Sequence, residues 1–251
     1  MTKPTQNPSD AAAQEPAIYI EVTKDGPYLV FGHPTIRQEV IAPNEYGQSW
    51  DYVAGETYNP PSPPEEPVAL CRCGRSKNKP FCDGSHTHGF DGTETASKEP
   101  IVKNAKVYQG PKHTLLDNEA YCAFARFCDA FGQVWNLVME SDDRSNEIAV
   151  REACQCPAGR LMMVDHATGR ILEFKLEKSI GVLEDPRLGV SGPLYVKGSI
   201  PVKDAEGQPY EVRNRQTLCR CGRSANKPFC DGSHAPARFQ DELPLPDVFK
   251  K

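Results

Sequence analysis

The sequence predicts a small, β-rich α+β fold in which two copies of one unit flank a central segment. Three observations carry that expectation. The 251 residues include 23 prolines and 19 glycines, a density of chain-breaking residues that favours short strands and turns over long helices. One string recurs almost unchanged, CRCGRSKNKPFCDGSH from Cys71 to His86 and CRCGRSANKPFCDGSH from Cys219 to His234, and only Lys77 against Ala225 differs. Each copy is also preceded by a Gly-Pro hairpin, GPYLVFGHPTI from Gly26 and GPLYVKGSIPV from Gly192. The repeat unit is therefore a hairpin, a strand and a cysteine loop.

Taken in order, residues 1–16 are polar and Pro/Ala-rich and are expected to be disordered. The first unit spans 17–100, with short β-rich runs IYIEV, GPYLVFG and RQEVIA. An insertion then ends in the extended connector NPPSPPEEP from Asn59 to Pro67. A central segment covers 101–186. Within it Asp117–Ala130 has an acidic start and apolar residues at helical spacing, which predicts a short helix. Ile148–Ala153 and Leu161–Val164 flank a cysteine pair, and RILEFKLEKSI from Arg170 alternates like a strand. The second unit spans 187–240, where YEVRNRQTL leads into Cys219 as PVAL leads into Cys71, and 241–251 is a tail.

Hydrophobic residues make up 38% of the chain, too few for one large core, so small units need staples. The ten cysteines are candidates. MTKPTQNPSDAAAQEPA has neither the basic start nor the apolar run of a secretory leader, and no stretch has the apolar length of a membrane span. A cytoplasmic, reducing setting without a membrane partner is therefore expected, where clustered cysteines favour metal over disulfides. Net charge is −5 and no basic patch suggests nucleic acid. Locally the balance reverses. Arg72, Arg75, Lys77 and Lys79 accompany the first block, and Arg220, Arg223 and Lys227 the second. They form a solvated loop face, compensate an anionic metal–thiolate centre or dock an acidic partner.

The repeated block offers Cys71, Cys73, Cys82 and His86, and again Cys219, Cys221, Cys230 and His234. Three thiolates and an imidazole suit soft or borderline metals, iron–sulfur or zinc alike. Three cysteines per block and an unexplained histidine argue against disulfides. Gly74 and Gly222 permit tight turns, Pro80 and Pro228 fix the chain entering the third cysteine, and Asp83 or Ser85 can cap a helix start whose amides face the sulfurs. The block resembles the CDGSH iron–sulfur (mitoNEET-like) family, whose C-x-C-x-x-S-x-x-K-P-x-C-D-G-S-H string stands intact in both copies. The resemblance implies two 2Fe–2S clusters on those eight residues, redox-active and acid-labile, each with its histidine on the more exposed iron. It also implies strand-exchanged pairing of such domains, so a monomer with an internal pseudo-dimer, or a homodimer, is expected. One histidine among the ligands sets a potential between those of plant-type ferredoxins and two-histidine Rieske centres. Lys79 and Lys227 are placed to tune the electrostatics of the histidine ligand.

Four cysteines remain, Cys122, Cys128, Cys154 and Cys156. CAFARFC places Ala125 where ferredoxin loops have a middle cysteine, and Cys156-Pro157 supplies the distant Cys-Pro. CPAGRL resembles the close of divergent mono-cluster ferredoxin domains. That likeness implies a third cluster, 3Fe–4S on Cys122, Cys128 and Cys156, or 4Fe–4S if Cys154 joins them. Zinc binding and reduced structural thiols are the alternatives. Tyr121, Phe124, Phe127, Phe131 and Trp135 read as core that would shield the site. His33, His88, His113 and His166 lack ligand spacing, and no catalytic triad, phosphate loop or dinucleotide fingerprint is present. The expectation is a non-enzymatic iron–sulfur protein that transfers electrons to a redox partner. Cluster storage and delivery to an apo-protein acceptor, or redox or iron sensing, are its alternatives.

Overall fold

The computed structural model describes residues 17–249. The disorder expected for 1–16 lies outside the described residues. The first copy contributes β1 (Tyr19–Val22), β2 (Tyr28–Phe31), β3 (Thr35–Pro43), β4 (Ser49–Thr57) and β5 (Val68–Leu70). The central segment gives β6 (Lys106–Gln109), β7 (His113–Asp117), α1 (Val134–Leu137), α2 (Asp143–Gln155), β8 (Leu161–Asp165) and β9 (Ile171–Leu172). The second copy supplies β10 (Ser179–Asp185), β11 (Val190–Lys197), β12 (Val202–Lys203) and β13 (Arg215–Leu218). Period-two patterning explains the thin strands: Ile20 and Val22 of β1, and Tyr28 and Val30 of β2, turn inward while their neighbours stay partly exposed.

Two sheets mix the copies. One runs β12-β1-β2-β5 and the other β13-β11-β10-β3-β4. β1 and β10 are equivalent first strands, each antiparallel to the next strand of its own copy. Each also takes a parallel partner from the other copy: Ile20 faces Val202 of β12, and Ile180 faces Ile36 of β3. The copies are therefore strand-exchanged about a pseudo-two-fold axis within one chain. β4, part of the expected insertion, extends the second sheet beyond β3. Because β10 is the equivalent of β1, the second copy's sheet starts at Ser179, earlier than the boundary expected at 187.

The third sheet, β6-β7-β8-β9, is an antiparallel meander against which α2 packs. The Asp142 carboxylate caps α2 by accepting the Ser145 amide at 2.9 Å, and Cys156-Pro157 ends the helix. The helix expected over Asp117–Ala130 does not form. There the chain leaves β7 and makes two short 3-10 turns, Glu119–Tyr121 and Phe127–Asp129, separated by Phe124 and Arg126 at φ 54° and 63°. A left-handed residue cannot continue a right-handed helix. The strand expected from Arg170 is likewise confined to Ile171–Leu172 before β10 begins. Among the described residues no helix is long and apolar enough to cross a membrane.

Candidate metal centres

Each repeated block folds into the same loop. Its third cysteine is drawn back onto the preceding strand: the Cys82 amide donates to Ala69 O at 2.8 Å and the Cys230 amide to Thr217 O at 2.9 Å. Short bridges Leu70–Phe81 and Leu218–Phe229 close the loops. Inside each, a buried serine hydroxyl binds a carbonyl, Ser76 to Phe81 at 2.6 Å and Ser224 to Phe229 at 2.7 Å. The aspartate of each block accepts the amides of Lys77 and Ser85, or of Ala225 and Ser233. It forms an Asx turn and not the helix cap expected, since only a single 3-10 turn follows Gly84.

The donors pair two and two. Cys71 and Cys73 Sγ stand 3.9 Å apart and Cys219 and Cys221 Sγ 3.7 Å. Cys82 Sγ is 3.3 Å from His86 Nδ1, and Cys230 Sγ is 3.5 Å from His234 Nδ1. Two sulfurs at metal–thiolate distance from one tetrahedral metal stand about 3.8 Å apart, and a sulfur–nitrogen edge is about 3.5 Å. Each pair therefore has the spacing of two donors on one metal, while among the described residues no three His, Cys, Asp or Glu donors come together on a single ion. Amides face the sulfurs, Arg75 to Cys73 at 3.4 Å and Gly84 to Cys82 at 3.5 Å. The Cys73 hydrogen bond, with help from the Ser76 and Gly74 amides and the Lys79 ammonium, holds the Cys71 thiol down to about 6 against burial. Cys219 is held down to about 6 by the Cys221 hydrogen bond and the Ser224 and Gly222 amides. The ammonium groups of Lys79 and Lys227 are tethered to the Ser76 and Ser224 carbonyls.

The arginine between the first two cysteines is not a surface charge. Arg72 is buried, donates to Thr23 O and Gly92 O, and lies over the Tyr28 and Phe90 rings. Arg220 is buried against Gly192 O, Leu183 O, Glu184 and Asp241. Both pin their loops from beneath, while Arg75, Lys77 and Arg223 remain exposed. The two loops meet back to back. A Cβ on Gly74 would stand 2.8 Å from Cys221 O, and one on Gly222 would stand 2.6 Å from Cys73 O.

The surroundings of the loops differ. Cys82 and His86 are half-buried, whereas Cys230 is buried and His234 is only 4% exposed. Burial, helped by the Arg220 guanidinium, pushes the His234 imidazole down to about 4. The cover is the central segment: Asn226 Nδ2 donates to Ala120 O at 2.9 Å, and Gly232 packs under Cys122 O and Phe124.

In that segment Cys122, Cys128 and Cys156 line one small cavity with Ala123, Ala125 and Arg160. Left-handed Phe124 and Arg126 curl the loop around it. Burial, and next the charge of Cys156, push the Cys128 thiol up to about 12. Arg160, which also lines the cavity, makes a buried two-point pair with Asp117 at 2.7 and 2.6 Å, and Trp135 Nε1 also donates to Asp117. Cys154, the proposed fourth donor, does not join them. It is absent from that lining and buried elsewhere, with its Sγ 3.4 Å from Leu172 O. Tyr121 and Phe127 are core as expected, but Phe124 is 45% exposed.

Sequence reasoning overlooked Arg215. Fully buried, it donates to Ala153 O at 2.6 Å and Cys156 O at 2.7 Å and pairs with Glu173. It thereby ties the end of α2 to β13, the strand that leads into Cys219. Its only signal was an arginine in a segment otherwise expected to be a strand. The remaining histidines are hydrogen-bonded bystanders: His33 to Glu66 O, His113 to Asn146 and His166 to Thr114, with exposed His88 giving its carbonyl to Arg75.

The family described as iron-binding zinc finger, CDGSH type, matches residues 25–87 and 191–235. Two tandem segments, together less than half of the chain, thus resemble this iron-binding family. No curated protein and no solved structure matches it.

Proposed function

We propose that the chain is a non-enzymatic electron-transfer protein with three iron–sulfur centres. Cys71, Cys73, Cys82 and His86 hold one 2Fe–2S cluster, and Cys219, Cys221, Cys230 and His234 a second. Cys122, Cys128 and Cys156 hold a third of the 3Fe–4S kind, since three cysteines and not four line that cavity. Bound clusters supply one-electron redox chemistry. The protein's part is to hold them in contact order and to limit water. Gly74 and Gly222 set the first loop against the second, and Gly232 sets the second against Cys122. That unbroken series of donor sets is the observation that carries the reading, because centres this close in one chain suit a relay. Half-burial of Cys82 and His86 favours a second reading at the first site alone, release of its cluster to an apo-protein acceptor.

A reductive titration of anaerobically purified protein, followed by visible and EPR spectra, tests the proposal. Reversible reduction of all centres with no loss of iron is expected, and Cys154→Ser should leave every signal in place. Bleaching that does not return on reoxidation would remove electron transfer in favour of delivery or sensing.

A further inference from the structure

The pseudo-two-fold relation gives each surface of one loop a counterpart on the other, and one counterpart is bare. Around the second loop, residues 120–124 cover the face made by Asn226 and Gly232. Thr95 and Ala96 close its rim through Lys227 O, and the Thr95 hydroxyl binds Ala225 O at 2.7 Å. Around the first loop the same shape is present, with Gly84 at φ 86° against 88° for Gly232. Among the described residues nothing bonds the Asn78 side chain, and nothing lies within 4 Å of a Cβ built on Gly84. The single difference between the two sixteen-residue blocks falls on this rim. Ala225 stands beside the covered asparagine, and exposed Lys77 beside the bare one.

The charge of the bare face is positive in a chain whose net charge is −5. Arg75, Lys77 and half-buried Lys79 belong to the same loop, Arg75 donating to His88 O and Lys79 to Ser76 O, and the one acid of the block, Asp83, is held by the Lys77 and Ser85 amides. We propose that this face is the docking site of an acidic iron–sulfur electron carrier, which lays a cysteine loop over Gly84 and Asn78 as the Cys122 loop lies over Gly232 and Asn226. The proposal rests on the electron-transfer reading. Lys77 and Arg75 steer the partner, and half-exposed Cys82 and His86 present the first centre to it.

The test is binding of a purified acidic 2Fe–2S ferredoxin to the cluster-loaded chain, by calorimetry and by light scattering at low and high salt. Lys77→Glu should weaken the affinity by roughly tenfold at low salt and flatten its salt dependence. Ala225→Lys should leave binding unchanged, because the face of Asn226 and Gly232 beside exposed Ala225 is already covered. Absence of ferredoxin binding to the wild type, or equal affinity in Lys77→Glu, overturns the proposal. So does a Lys77-dependent dimer of the chain itself, which would make a second copy the occupant. Lys77-dependent binding supports docking even if no electron passes. In that case the electron-transfer reading alone fails, and reduction of the centres without the partner identifies which has failed.

Discussion

His86 and His234 close the same motif and differ in what surrounds them. His86 lies at a half-open surface. His234 is buried, and burial and the Arg220 guanidinium favour its neutral form. A histidine leaves its metal when it takes a proton on the ligating nitrogen. Because the folded protein depresses the pKa of His234, that ligand stays neutral as acid is added, and the second centre should outlast the first. Stepping the loaded protein from about pH 7.5 to about pH 5.5 should bleach the first CDGSH-type absorbance in a fast phase and leave the second in place. His86→Cys should remove the fast phase, and His234→Cys should leave it. A single phase that carries both would remove burial from the explanation.

At the scale of elements, contact between the second loop and the Cys122 loop depends on a glycine. Gly84 and Gly232 share a left-handed backbone, so alanine at either position strains the turn by about 1–2 kcal/mol. At Gly232 the added methyl also meets Cys122 O at 2.9 Å, whereas at Gly84 it meets nothing within 4 Å. Overpacking adds about 1–3 kcal/mol, so Gly232→Ala should lower the melting temperature well below that of Gly84→Ala. Equal losses in the two variants would mean that the contact carries no stability. The Cys122 loop itself was misread as a helix for a physical reason. Its apolar residues are spaced by curling around a cavity, and the left-handed Phe124 and Arg126 that curl it are imposed by tertiary packing that no local propensity announces. The place of Cys154 was not legible either, because α2, the helix that carries it to Leu172 O, was not expected from the sequence. The eight candidate donors of the repeated blocks stood out in the sequence, because three cysteines and a histidine recur at fixed spacing in two copies.

At the scale of the whole molecule, the repeat predicted two copies and an internal pair, but the pairing itself was not written locally. β3 and β12 cross to the other copy as parallel strands, a long-range choice that depends on which neighbour leaves an edge open. Strand exchange brings the two loops back to back, and α2, held to β13 through Arg215, sets the third donor set against the second. One chain thereby arranges three sets of thiolates in series, from the Cys122 cavity to the half-exposed His86. Iron and acid-labile sulfide per chain, measured together with zinc on anaerobically purified protein, test that arrangement most directly. About seven iron and eight sulfide, with both 2Fe–2S and 3Fe–4S EPR signals, are predicted. Zinc in place of iron, or about four iron with only 2Fe–2S signals, would contradict it.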